Sequence, residues 1–201
     1  MTKLYIARHG ETEWNIQRRF QGQHDSPLTA NGINQVNLLS EYLKNISVDA
    51  IYTSSCKRAV VTANIINSNK NLPLYVCEEL REINMGEWEG MPANEIKLRY
   101  ADEFQHFFYQ PDLYMPDNNG GETFDSFRLR LSNKIEEIVL THPDKTILIV
   151  VHGIALRILL AYFKNCSLSE IWNFLAKPAS ISLVTANDKK YEINFWAKTE
   201  Y

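Results

Sequence analysis

LYIARHGETEWN, residues 4–15, passes from four largely apolar residues straight into a cation, an imidazole and a glycine. A short apolar run closed by polar residues and glycine reads as a buried strand. Arg8, His9 and Gly10 therefore stand at that strand's end. TILIVVHG, residues 146–153, repeats the pattern, a β-branched run that stops at His152 and Gly153. Further strand signals fall at 49–53, 74–76, 181–186 and 192–197. Helical spacing recurs between most of them, at 29–43, 56–66, 124–138 and 154–163. Strands alternating with helices predict an α/β fold of three layers, α/β/α, around a mainly parallel sheet. The last two strands, joined by ANDKK (186–190), read as an antiparallel hairpin at one edge. Residues 84–121 differ: aromatic-rich, weakly periodic and holding three prolines. They read as a helical cap inserted into a single domain spanning 1–201.

Bulk composition narrows the function classes. The 201 residues are 45% hydrophobic and 22% charged, which suits one globular domain with a sizeable core. A net charge of −3 provides no basic field, so nucleic acid is not an expected partner and any anion site must be built locally. The apolar stretch 147–163 raises a membrane span. His152, Gly153 and Arg157 interrupt it, so a buried strand followed by a buried helix is expected instead, with no membrane partner. Cys56, Cys77 and Cys166 are scattered and odd in number, without C-x-x-C, which fits a reducing cytoplasm better than a disulfide framework.

In open α/β sheets ligands bind beyond the carboxyl ends of the strands. The first strand ends in Arg8-His9-Gly10 and the fourth in His152-Gly153, and a glycine at each end lets the backbone approach a ligand closely. The second, within IYTSSCKRA (51–59), leads to Arg58 in the first turn of the next helix, behind Ser54 and Ser55 as candidate caps. Each feature alone has an ordinary structural explanation. A strand-end histidine is commonly just packed, and a first-turn arginine is usually solvated. Arg58, however, opposes the helix dipole and needs an anion nearby. If the three strands are neighbours, two arginines and two histidines converge. Adjacent arginines would repel a metal ion, so no metal and no cofactor is expected. No G-x-x-x-x-G-K-[ST] loop is present. Guanidinium forks for the oxygens and an imidazole for the phosphorus suit a phosphoryl group.

RHGETEWN (8–15) resembles the R-H-G-E-[ST] signature of the histidine phosphatase superfamily, which includes cofactor-dependent phosphoglycerate mutases. RFQGQHDSPLTANG (19–32), YTSSCKRAVVTA (52–63), LREINMGEWEG (80–90), NGGETFDSFRLR (119–130) and VVHGIALR (150–157) are similar to its later segments, in order. The resemblance implies that His9 is the nucleophile carrying a phosphohistidine. It implies that Arg8, Arg58 and His152 hold the phosphoryl oxygens, and that Glu82 is the proton donor. Asn15, Gln21 and Gly22 would complete the phosphate pocket, with Gly153 adding a backbone N–H. Glu87 and Glu89 are close rivals of Glu82, whereas Glu11 reads as an ordinary loop acid. Glycine rather than aspartate follows His152, which fits the branch that uses a glutamate acid.

The chemistry is coherent by itself. A nucleophilic imidazole must be neutral, and neighbouring guanidiniums depress its pKa. Its other nitrogen needs an acceptor, such as a backbone carbonyl. Residues 85–121 hold seven acids against Lys97 and Arg99, so the cap is expected to receive a second anionic group poorly. That favours a phosphomonoester hydrolase acting on a small-molecule ester, resembling small bacterial-type phosphatases such as those acting on α-ribazole 5′-phosphate. The alternatives are a 2,3-bisphosphoglycerate-dependent phosphoglycerate mutase and a catalytically silent phospholigand-binding protein. The silent protein should have lost His9, Glu82 or His152, and none is lost.

Overall fold

The structure is a computed structural model describing residues 1–187 and 190–201. Six strands form one sheet: β1 (Thr2–Arg8), β2 (Ala50–Ser54), β3 (Leu74–Cys77), β4 (Thr146–Val151), β5 (Ile181–Asn187) and β6 (Lys190–Lys198). Their order is β3-β2-β4-β1-β5-β6. The pairings from β3 through β1 are parallel, and β5 and β6 are antiparallel. The sheet is therefore mixed and mainly parallel, as the alternating pattern predicts. The turn of the expected terminal hairpin lies at Asp188 and Lys189, outside the described residues.

Helices cover both faces. On one, α2 (Ala30–Leu43) and α3 (Lys57–Asn67) bury Val36, Leu39, Leu43, Ala59, Ala63 and Ile66 against Ile51, Leu148 and Val150. Thr29 starts α2 by accepting from the Gly32 N–H at 2.8 Å. Ile33, on the expected apolar stripe, is exposed, and Gly32 is the buried residue there. On the other face lie α6 (Phe124–Thr141) and α7 (Gly153–Lys164). Phe124, Phe127, Leu131, Ile135 and Ile138 form the buried stripe of α6 at helical spacing. The stretch 147–163 resolves into β4 and α7, and among the described residues no helix is long and apolar enough to cross a membrane.

Residues 84–121 hold two short helices, α4 (Ala93–Arg99) and α5 (Ala101–Tyr109), with 3₁₀ turns. Their aromatics are mainly packing. Trp88, Phe107 and Tyr114 are buried and join Phe124, Phe127 and Ile149 in one core. Carboxylates also brace the segment. Buried Glu103 accepts from the Asn118 N–H at 2.7 Å and from both asparagine side-chain amides, Asn118 and Asn119.

Register decides what meets at the strand ends. Arg8 lies opposite Val151 and Thr53 opposite Val150. The three polar endings therefore leave the sheet side by side, since β4 lies between β1 and β2. Ile149, wholly buried on β4, tests this core. Ile149→Ala is expected to cost about 2–5 kcal/mol of unfolding free energy. Leu129→Ala, at an exposed site, should stay within about 0.5 kcal/mol of the parent. Urea denaturation of both variants measures the contrast, and equal losses would contradict this placement of the core.

Candidate active site

His9, the first residue past β1, is 2% exposed, and its ring centroid lies 5.3 Å from that of His152. The two strand endings do meet. His9 Nδ1 is 2.7 Å from the carbonyl oxygen of Gly10. A carbonyl can only accept, so Nδ1 carries the proton and Nε2 keeps a lone pair. The Arg58 Nε–H, 3.3 Å away, donates to that Nε2. Burial first, then Arg58 and Arg8, hold the His9 pKa well below the ordinary imidazole value, so the ring is neutral.

Gly10 has a different purpose from the one the sequence suggests. A Cβ there would lie 2.7 Å from the Gly32 carbonyl oxygen and 2.8 Å from Val36 Cγ2. The glycine lets the β1 ending press against α2 and is not among the residues lining the site.

Arg58 is 2% exposed and held on all sides. Its NH2 donates to the Gly22 carbonyl at 2.6 Å, and its NH1 donates to the His24 carbonyl and to Asp25 Oδ1, the latter at 2.9 Å. Asp25 also accepts the Lys57 and Arg58 backbone N–H groups at 2.8 and 3.2 Å, so it caps α3. This is the anion that Arg58 requires. Ser54 and Ser55 are not side-chain caps of α3, because Ser54 belongs to β2 and its Oγ sits 2.7 Å from His152 Nε2. Ser54 thereby leaves His152 Nδ1 buried with no partner. His152 is likewise held neutral, by burial and then by Arg58 and His9. Arg8 donates through NH1 to the Ala176 carbonyl, its Nε is buried without a partner, and burial lowers its pKa to about 10.

Glu82 is 6% exposed. Its carboxylate accepts from the Ile154 N–H at 2.9 Å and the Ala155 N–H at 3.0 Å, in the first turn of α7. Burial raises its pKa above the ordinary glutamate value, opposed by these backbone N–H groups and by Arg58 and Arg8. The rival acids are occupied elsewhere. Glu87 accepts from the Tyr100 hydroxyl at 2.6 Å. Glu89 accepts the backbone N–H groups of Gln23, His24 and Met85 at 2.8, 2.9 and 3.0 Å. Gly22, at φ +51°, leaves no room for a Cβ, which would fall 2.1 Å from Glu89 Oε1. Glu89 therefore clamps the loop whose carbonyls grip Arg58.

A cavity of about 230 Å³ collects these groups. Arg8, His9, Asn15, Gln21, Gly22, Arg58, Glu82 and Gly153 all line it, as expected from the sequence, whereas His152 does not and packs against the His9 ring. Asn15 Oδ1 closes a capping box with Thr12, and Gln21 Nε2 donates to the Thr12 hydroxyl at 2.8 Å. Sequence reasoning missed Arg19, Met85, Arg157, Trp172 and Ala176, which also line the cavity. It also gave no role to Asp25, although Arg58's position in a first turn signalled that an anion was needed. A larger cavity, about 530 Å³, lies at the amino end of β1 around Thr2, Val139 and Leu140, away from these groups. Among the described residues no cluster of three or more His, Cys, Asp or Glu is arranged to hold a metal.

Residues 4–199 match the model of the histidine phosphatase superfamily (branch 1). The chain belongs to the histidine phosphatase superfamily. Among its relatives, phosphoserine phosphatase 1 of Hydrogenobacter thermophilus is 32% identical over 94% of this chain and 89% of its own. The adenosylcobalamin/alpha-ribazole phosphatase of Escherichia coli is 29% identical over 93% of this chain and 91% of its own. The structure of Bacillus stearothermophilus YhfR superposes with a TM-score of 0.94 at 37% identity, covering 98% of this chain and 97% of that one. In this histidine phosphatase, Asp25→Ala is expected to lose about 0.5–2 kcal/mol through the α3 cap. It should also weaken inorganic phosphate binding by at least about tenfold, because Arg58 loses its tether. Thermal melts with and without phosphate measure both, and unchanged phosphate affinity would mean that Asp25 serves the helix alone.

Proposed function

We propose that this chain hydrolyses small phosphate monoesters through a phosphohistidine on His9. The observation that carries this is the state of the His9 ring, with Nδ1–H committed to the Gly10 carbonyl and a neutral Nε2 facing the arginines. That is the arrangement a nitrogen nucleophile needs. The Arg8 Nε–H is a donor buried at the cavity without an acceptor, and a phosphoryl oxygen would satisfy it; His152 Nδ1 is also buried without a partner, beside the His9 ring. Arg58, Asn15, Gln21 and the backbone of Gly22 and Gly153 complete the oxygen-binding set.

His9 Nε2 attacks phosphorus in line as the ester P–O bond breaks, with the guanidiniums stabilising charge on the equatorial oxygens. Glu82 gives its proton to the leaving alkoxide. It then takes a proton from the water that attacks the P–N bond, which returns neutral His9 and releases phosphate. The incoming phosphoryl charge opposes ionisation of Glu82, adding to the burial that already raises its pKa.

Hydrolysis is preferred to mutase chemistry because the two cap cations do not reach the cavity, and Arg99 pairs with Glu95 at the surface. The relatives' names support either phosphoserine or α-ribazole phosphate as the ester. A cavity of about 230 Å³ falls below the roughly 300–1,000 Å³ of drug-sized ligand sites and favours the smaller leaving group. Three free cysteines, two of them buried, support a cytoplasmic location.

His9→Ala should lower kcat by at least about 10³-fold, about 4 kcal/mol of barrier. Acid-labile phosphate trapped on His152 or His24 during turnover would remove His9 from this role. Glu82→Gln should slow alkyl phosphates far more than p-nitrophenyl phosphate, whose leaving group needs no proton. Glu82 acts as an acid only while protonated, so alkyl ester turnover should fall as pH rises through its raised pKa. His9, with its lowered pKa, should add no loss through the ordinary histidine range. A pH–rate profile in Glu82→Gln that keeps the alkaline limb would point to another acid. Activity should survive exhaustive chelation, and vanadate should inhibit.

A further inference from the structure

Glu82 is held at both ends, and the pocket accounts for only one of them. Its carboxylate rests on the first turn of α7 and on the Ile83 N–H at 3.1 Å. Its backbone belongs to residues 81–85, which form neither helix nor strand. The polar groups of such a segment need partners from elsewhere in the fold. Most of those partners come from one side chain of α6. Arg130 NH1 donates to the carbonyls of Glu79 at 2.8 Å and Arg81 at 3.1 Å, and its NH2 donates to the carbonyl of Glu82 at 3.4 Å. Gln23 Nε2 also donates to the Glu82 carbonyl, at 3.4 Å. The other Arg130 donors go to Glu122, from Nε to Oε1 at 3.1 Å and from NH2 to Oε2 at 2.7 Å. A guanidinium carries five N–H donors in a fixed fork, and all five are used here.

Glu122 is itself fixed to the same segment. It accepts the Asn84 N–H at 3.3 Å, and its own N–H donates to the Asn84 carbonyl at 2.8 Å. The Arg130 Cζ lies 5.0 Å from the centre of the buried Phe127 ring, which ties the fork to the core. Both residues belong to NGGETFDSFRLR (119–130). Alone among the segments that resemble the family, this one contributes nothing to the cavity lining. An isolated ion pair with side chains 22% and 14% exposed would contribute little. This one grips the main chain that leads into Glu82. Because Glu122 offsets its charge, Arg130 acts on Glu82 through position. Position matters here, since a displacement of about 1 Å can cost about 10²-fold in rate.

We infer that Arg130, held by Glu122, is a positioning residue that sets the reach of the Glu82 carboxyl toward the leaving oxygen. The inference rests on the reading of Glu82 as proton donor. The test compares kcat/KM for glycerol 3-phosphate, whose alkoxide needs a proton to leave, with that for p-nitrophenyl phosphate, whose leaving group does not. Arg130→Met should lower the first by at least about tenfold while the second changes far less. In a Glu82→Gln background the same substitution should have no selective effect, because the proton it helps to place is gone. Arg130→Lys keeps the cation and loses the fork. It should show the same selectivity with a smaller loss, and it covers the case in which the methionine variant does not fold. Equal slowing of both esters by these variants overturns the inference, because Arg130 then only braces residues 79–82. So does an undiminished selective loss in the Glu82→Gln background. If Glu82→Gln is itself unselective, the acid assignment has failed and this inference falls with it. Selectivity in Glu82→Gln with none in the Arg130 variants overturns this inference alone.

Discussion

Burying guanidinium charge beside two imidazoles is the constraint around which the site is organised. Arg58 is nearly inaccessible, and an unpaired buried cation is costly. The chain meets that cost with oxygen atoms held in place beforehand: the carbonyls of Gly22 and His24 and the carboxylate of Asp25. Those atoms sit on a loop that Glu89 clamps through the Gln23 and His24 backbone N–H groups. Arg8 is treated likewise by the Ala176 carbonyl. A rigid cluster of cations results, and burial together with these cations holds the pKa of both histidines well below the ordinary imidazole value.

Rigidity at this spot suits phosphoryl transfer, in which positioning and charge stabilisation supply most of the rate. The scaffold contributes directly. Parallel register sets the ends of β1, β4 and β2 side by side, and the N-terminus of α7 supplies backbone donors to Glu82. That contact couples the acid to the helix that begins at Gly153. A carboxylate at a helix N-terminus is stabilised as an anion, whereas burial favours the neutral acid. Glu82 is balanced between these two effects, and burial prevails.

Residues 84–121 separate packing from chemistry: Trp88, Phe107 and Tyr114 form core with α6. From residues 84–121 only Met85 lines the cavity. The lining comes instead partly from α7 and the segment that follows it, through Arg157, Trp172 and Ala176.

The sequence by itself determined the sheet, its main helices and the convergence of Arg8, His9, Arg58 and His152 at its carboxyl end. Apolar runs of strand length ending in Arg-His-Gly and His-Gly are local signals, and the carboxyl ends of neighbouring parallel strands have to converge. Only the tertiary structure decided which groups complete the site. Asp25 lies 33 positions from Arg58 and Glu89 lies 66 from Gln23, and nothing local marks either carboxylate as a clamp rather than a surface acid. Gly10 reads from sequence as a ligand-facing glycine, and only the approach of α2 shows that it makes room for Gly32 and Val36. Arg157 stands on a largely apolar helix, and its placement depends on carbonyls from a turn 14–17 residues further on. Long-range electrostatic pairing leaves no periodicity in the chain. It is set by where the folded backbone delivers its carbonyl and carboxylate oxygens.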